Sequence, residues 1–573
     1  MLPLSSFCSM APACWAVQPL VAAPNASPRS QEPTRVRETF TTIFSFCNLH
    51  PTVDSNCSTS THFDGDSRHA ACSLLCLCSS LAGHPPRLQR CRCCHLRLAC
   101  TASYDGVSIQ SLGINGKPSD QSVIDVELGQ EVEVRVTNEL NEPTCLHWHG
   151  LKQLGTQEMD GTSGLTQCHI DPTERRCIAS HPTRLAHSGG TATTSRIVHA
   201  PASEQQEWEK DVDGEFIIQM ADLYHRPPQP VRMWDNILIN NRGRYNCTAA
   251  AHHNFTECTD NQPLSHFRFK AGNKYLLRLI NMAALSPIQF SIDDHMLQVV
   301  AADGEPLQPS KPINSVTLNA AQRYDILVQA KGSPSVGKQQ GGKQEDVGSF
   351  WMRATGLHGL PWTRGTAAVA GEGYNYEGLA IVSYEAESDK EPTSQQQMNT
   401  TTVSEYDFTP LVPVVLPSTP SDRAVLQLKM QNGSGYFAID DGDFNHFTLP
   451  SDPPLYSIAA GLKTEQLPAS TNARKINYGG HIEVVLVNAK DEQHPFHMHS
   501  HTPWVVDSGV ASMDAIRNNT LPALRLVSPM KGDVYTIPPC TSDGNGGCLD
   551  AGYVVMPTTP ACGSCTVTST GIY

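Results

Sequence analysis

The sequence has no histidine after His501, no cysteine between Cys258 and Cys540, and no apolar run long enough to cross a bilayer. The last absence excludes a helical membrane span. The cysteine gap argues against an evenly stapled, disulfide-rich scaffold, because eleven of the 20 cysteines crowd into residues 1–100. Positive charge is also scarce, with 41 Lys and Arg against 56 Asp and Glu, for a net charge of −15. Such a surface disfavours nucleic acid and anionic membranes as partners. Long stretches of helical periodicity are missing too, so a helical bundle is not expected.

What is present reads as strands. The chain of 573 residues is long enough for two to four domains with several buried cores. Residues 1–100 mix Ser, Cys, Pro and Arg without period, and read as a disordered or mistranslated leader. Pro3, Pro12 and Pro19 interrupt its apolar start, so no clear signal segment emerges. From Val123 the run Val-Ile-Asp-Val-Glu-Leu-Gly-Gln-Glu-Val-Glu-Val-Arg-Val-Thr alternates apolar and polar residues, and Gly129 suggests two strands joined tightly. Similar short strands recur through residues 213–385, the pattern of a Greek-key sandwich, with a Gly- and Gln-rich insertion at 331–348. A polar stretch at 385–402 reads as a linker to a last domain that contains the alternating strand from His481 to Asn488. Sequons at Asn246, Asn254, Asn399, Asn432 and Asn518 together favour secretion, and Cys247 and Cys258 are spaced to form a local disulfide.

Two histidine clusters carry the chemistry. One is Leu146-His147-Trp148-His149-Gly150, directly after a strand. The other is His494-Pro495-Phe496-His497-Met498-His499-Ser500-His501. In extended chain, residues two apart share a face. His147 with His149, and His497 with His499, therefore each aim two imidazoles at one point. Imidazole suits copper, zinc, iron and nickel, and copper(II) binds most tightly of the divalent series. Zinc is the alternative, but a closed structural zinc site normally draws on cysteine or a compact four-ligand spacing.

Thr144-Cys-Leu-His-Trp-His-Gly-Leu, with Gln153, Met159-Asp160-Gly161 and Thr166-Gln167-Cys168 after it, resembles the first copper motif of laccases and related multicopper oxidases. His494-Pro-Phe-His-Met-His resembles their third. Further likenesses are Gly113-Ile-Asn-Gly, Asp222-Leu-Tyr-His, Leu279-Ile-Asn, Ala302-Asp-Gly and Gln322-Arg-Tyr-Asp. The resemblance spans residues 105–172 and 197–555. It implies an all-β chain of three cupredoxin-like Greek-key β-sandwich domains, the first and last incomplete. These would cover residues 101–204 (disrupted at 173–196), 205–388 and 389–573 (truncated after about 555). It also implies roles: His147 and His497 match type 2 copper ligands, His149 and His499 match ligands of the type 3 pair, and His494 matches one histidine of the type 1 blue site. Asp160 matches an acid that assists proton delivery to dioxygen, while His169 and His501 match no ligand.

The family's second and fourth copper motifs have no counterpart, and with them go the type 1 cysteine, its second histidine and four type 3 histidines. The genetic code offers a reason. Joining the third base of each codon to the first two of the next lets residues 557–572 read D-N-P-G-V-W-L-V-H-C-H-I-D-W-H. The same shift lets residues 173–193 read through to F-W-W-H-S-H. Both missing motifs are recovered at their expected places. Accordingly His181, His187, Cys562 and Cys565, which lie in the shifted stretches, are not read as ligands. The resemblance thus implies a secreted, copper-dependent oxidoreductase, with four coppers per chain in the intact family and fewer here. It would couple dioxygen reduction to oxidation of a phenolic, Fe(II) or ascorbate-like reductant. Laccase-like oxidation of phenols is the first expectation; a ferroxidase and an inactive copper-binding relative are the others.

Overall fold

The structure, a computed structural model, describes residues 100–558 apart from 112, 116, 130–131, 154–155, 181–185, 191–193, 226–233, 251–256, 333–347, 358–374, 385–390, 398–399, 432–433, 440–451, 472, 478–479, 523 and 545–546. It also describes the strands Cys14–Leu20, Thr39–Cys47, Cys91–Leu96 and Thr566–Ser569. Along the strands within 177–197, 429–439 and 474–477 only the backbone course is described. Most of the leader and of the 331–348 insertion, together with His181, Cys562 and Cys565, lie outside the described residues; His187 falls where only the backbone is described.

The middle of the chain forms two packed sheets. One has six strands in the order Asn236–Ile239, Gly214–Leu223, Lys274–Asn281, Arg323–Gln329, Leu297–Ala302 and Glu305–Pro306. The other has five, in the order Ser265–Arg268, Glu377–Ser383, Ser349–Gly356, Ile288–Ile292 and Ser315–Leu318. Alternation explains the packing. In Ser349–Gly356 every second residue is buried, so Phe350, Met352 and Ala354 face inward to meet Phe290, Leu277 and Ile326. Burying a side chain such as Phe290, with 0% of its surface exposed, contributes about 1.5–3 kcal/mol.

One cross-strand pair in this sandwich is charged. Arg278 and Asp325 sit opposite each other in antiparallel register, with Nη1 of Arg278 donating to Oδ2 of Asp325 at 3.1 Å and the rest of the guanidinium gripping Glu215. Burial pushes the Asp325 carboxyl up to about 7, despite Arg278. A carboxyl raised above its unfolded value contributes stability at low pH and loses it as pH climbs through 7. Asp325→Asn should therefore gain on the wild type by on the order of 1 kcal/mol between about pH 5 and pH 8, read by urea denaturation at both.

The C-terminal sandwich repeats the plan. Its larger sheet runs Ser434–Ile439, Asp422–Gln431, Ile482–Asn488, Cys548–Thr558 and Asp507–Ala511. Its smaller sheet places His494–His499 between Val534–Ile537 and Thr566–Ser569. Near the N-terminus, Val123–Glu127 and Val132–Thr137 are both strands, but they do not form the tight hairpin that Gly129 suggested. The first pairs in parallel with Thr194–His199, and the second joins Arg175–Ser180 and Cys91–Leu96. Gly129, at φ +83°, lets the chain cross from one sheet to the other. Backbone pairing runs on through Arg175–Ser180, Ala186–Gly190 and Thr194–His199, inside the stretch expected to break the first sandwich. Ladder bonds use backbone groups that every non-proline residue carries, so a changed side-chain pattern need not open the sheet.

Disulfides join cysteines that are close in sequence. Cys247–Cys258 is the pair expected from spacing, and Cys540–Cys548 is a second that the sequence reading did not pair. No helix among the described residues is long and apolar enough to cross a membrane.

Candidate metal centre

Strand geometry gathers the histidines. His497 and His499 project from the same face of His494–His499, and both are 1% exposed. His147 and His149 lie in the loop after Val132–Thr137 and arrive from the opposite side. The rings interleave: His147 lies 3.8 Å from His499 and His149 lies 3.7 Å from His497, centroid to centroid. Ligand atoms of His147, His497 and His499 fall within 4.8 Å of one another, as do those of His149, His497 and Asp533. Four imidazoles from opposite ends of the chain thus share one buried pocket. His494, three residues before His497, points to the other face. Among the described residues no group of metal-binding side chains includes it.

Protein acceptors fix one nitrogen on three of these rings. His147 Nδ1 bonds the Asp160 backbone carbonyl at 2.7 Å, His499 Nδ1 bonds the Asp160 carboxylate at 2.7 Å, and His497 Nδ1 bonds the Asp533 carbonyl at 2.8 Å. With Nδ1 occupied, Nε2 is left to ligate, the usual division of labour at metal-bound histidines. The Nε2 atoms of His147 and His499 are buried and make no hydrogen bond, and so is that of His494. A buried nitrogen without a partner costs free energy unless something binds it. The pocket therefore fits an imidazole-bound metal.

Protonation favours the same end. Burial, and His499 beside it, press His147 down to about 4, and burial with Lys490 does the same for His494. Burial also lowers His149, His497 and His499. All five are neutral at pH 7, the form that ligates. Burial works against charge on Asp160, but His147, His499 and the Thr162 hydroxyl outweigh it and hold the carboxyl at about 2. Asp533 resists burial in the same way, with Arg323 holding it well below the usual carboxylate range.

Asp160 reaches the histidines because the next residue is glycine. Gly161 has φ +89°, and a Cβ there would lie 1.8 Å from the Leu146 carbonyl oxygen and 2.8 Å from His147 Cα. Gly161→Ala should force the two segments apart. The expected result is a loss of about 2 kcal/mol or more in unfolding free energy together with weakened metal uptake, read by denaturation and by metal titration.

His147, His149, His497, His499 and Asp160 thus come together, while His494 lies apart on its strand. His169 pairs with Asp171 at 3.1 Å, away from the cluster. Sequence reasoning missed Asp533. A buried acid at the head of the apolar strand Val534–Ile537 was the only signal, and nothing local ties it to histidine.

An all-β chain of cupredoxin sandwiches with imidazoles converging on one buried pocket is the architecture of the multidomain copper-oxidase class. Family models described as multicopper oxidase match residues 99–192, 214–385 and 433–543, and the chain belongs to the multicopper oxidase family. Laccase-1 of Botryotinia fuckeliana is 28% identical over 470 residues, 76% of this chain and 73% of that protein. The iron transport multicopper oxidase fio1 of Schizosaccharomyces pombe is 27% identical over 425 residues, 70% of this chain and 62% of that protein. Among solved structures, the laccase from Botrytis aclada aligns with TM-score 0.63 at 20% identity, covering 82% of this chain and 84% of that one. Fet3p, a multicopper oxidase that functions in iron import, aligns at 0.64 and 18% identity, covering 82% and 85%. At these identities the structural likeness speaks to the fold.

Proposed function

We propose that this gene encodes a secreted, laccase-like oxidase of phenolic reductants, and that the chain as given carries the half of its copper centre supplied by the first and third motifs. The observation that carries this reading is the convergence of His147 and His149 on His497 and His499. Bound copper would supply the one-electron steps that link an organic reductant to the four-electron reduction of dioxygen. The chain's own residues do the rest. His147, His497 and His499 offer Nε2 with Nδ1 anchored. Asp160 orients His499 through Oδ2, while its Oδ1, ionised at pH 7 and buried without a hydrogen bond, is the atom that would take up a proton from solvent and pass it toward dioxygen. His494 would serve the electron-entry site, for which this chain lacks the thiolate. The disulfides Cys247–Cys258 and Cys540–Cys548, with the exposed sequon residues Asn246 and Asn518, support an oxidising, extracellular setting.

The test compares the chain as given with one restored to the shifted frame at 173–193 and 557–572. The restored chain should hold four coppers, show a thiolate-to-copper absorption band and consume dioxygen with a phenol. The chain as given should hold fewer, without the band. Turnover by the restored chain of Fe(II) but not phenol would replace the laccase reading with a ferroxidase, and a restored chain without copper would end both.

A further inference from the structure

Two of the motifs that have no part in the histidine cluster are Ala302-Asp-Gly and Gln322-Arg-Tyr-Asp. The fold brings them together behind the histidines. Arg323, 1% exposed, grips both oxygens of Asp533, Nη1 to Oδ1 at 2.6 Å and Nη2 to Oδ2 at 2.8 Å. Nη1 also donates to Asp303 Oδ1 at 3.1 Å. Asp303 Oδ2 in turn accepts the backbone N–H groups of Asp533 and Val534 at 3.2 and 3.0 Å. On its far side, Asp533 Oδ1 lies 3.3 Å from His149 Nε2 and 3.3 Å from His497 Nδ1. One carboxylate therefore touches a histidine from each copper motif. Gly150 closes the joint, since a Cβ there would lie 2.7 Å from Arg323 Nη2 and 3.1 Å from Asp533 Oδ2.

We infer that Arg323 and Asp533 are positioning residues that lock His149 and His497 into one ligating geometry before metal arrives. The inference rests on the reading of the four histidines as a copper site. Asp533 could instead be a ligand, as its place beside His149 and His497 allows. The forked bond to Arg323 argues otherwise, because it occupies both carboxylate oxygens and neutralises their charge. An acceptor held this way orients imidazoles without competing for the metal, and partners of this kind typically set metal affinity by ten- to a hundredfold. Arginine is required for the forked geometry, and lysine offers only a point charge.

The experiment titrates the purified full chain with copper(II) and records its electron paramagnetic resonance spectrum, with thermal melting of the metal-free protein alongside. Asp533→Asn and Arg323→Lys should each weaken copper about ten- to a hundredfold and reduce the number of nitrogen couplings in the spectrum. Asp303→Asn, which touches no histidine, should lower the melting temperature and leave the spectrum as in the wild type. A purely structural role would make all three variants melt lower with the same copper spectrum, and that result overturns the inference while leaving the copper site standing. If Asp533→Asn fails to fold, Arg323→Lys decides by the same two readouts. A wild-type chain that takes up no more copper than His147→Ala/His499→Ala overturns the copper reading itself, and the inference with it.

Discussion

Replacing His497 with alanine should lower copper(II) affinity by more than the roughly hundredfold that loss of an outer partner costs, because His497 is the one residue common to both candidate ligand groups. Its ring stacks on His149 at 3.7 Å and lies 4.9 Å from that of His499. Removing it leaves His147 and His499 as a pair tied to Asp160, and His149 beside Asp533, with no imidazole between them. Equilibrium dialysis followed by metal analysis measures the effect. His169→Ala provides the control, since that ring is paired with Asp171 outside the pocket and its loss should leave copper uptake unchanged. Equal uptake by His497→Ala and wild type would mean that copper binds elsewhere.

Arg323→Met should be the most destabilising single change in the network, by about 3–5 kcal/mol near pH 7. Methionine fills much of the same volume but leaves the side chains of Asp303 and Asp533, 1% and 0% exposed, facing each other without a cation. Burial and mutual repulsion then favour the protonated carboxyls in the folded state. Groups with raised folded pKa contribute stability at low pH and lose it as pH rises, so the deficit should shrink near pH 4. Adding Asp303→Asn and Asp533→Asn to Arg323→Met removes both charges and should recover part of the loss. Denaturant titrations at the two pH values test this, and a deficit that is the same at both would show that cavity or strain, not charge, is responsible.

Much of the fold was legible because period-two alternation is a local signal. Val132–Thr137 keeps that alternation in its burial, whereas Lys274–Asn281 and Arg323–Gln329, almost wholly buried, were legible as short apolar runs. His497 and His499 follow the same rule of alternation, since residues two apart on the strand His494–His499 share a face, whereas His147 and His149 lie in a loop to which that rule does not apply. What alternation cannot carry is partner choice. Val123–Glu127 and Val132–Thr137 look like a hairpin in sequence, yet each finds its neighbour in a different sheet, because long-range burial decides pairing. Arg323, Asp303 and Asp533 were similarly opaque: three residues spread over more than two hundred positions form one bond network, and none has a local pattern that names the others. Cys540 and Cys548 escaped notice because the strand that turns Cys548 back toward Cys540 was not anticipated.

The interleaving of the two histidine pairs also sets a timetable for biosynthesis. His147 and His149 are made first, and the rings that face them and the carboxylate that steadies them follow only several hundred residues later. A nascent polypeptide can therefore fold its middle sandwich while the pocket still lacks half its donors. Metal is best acquired after residue 533 has been made, and a product cut short before it would display orphaned imidazoles to whatever cation is most abundant nearby.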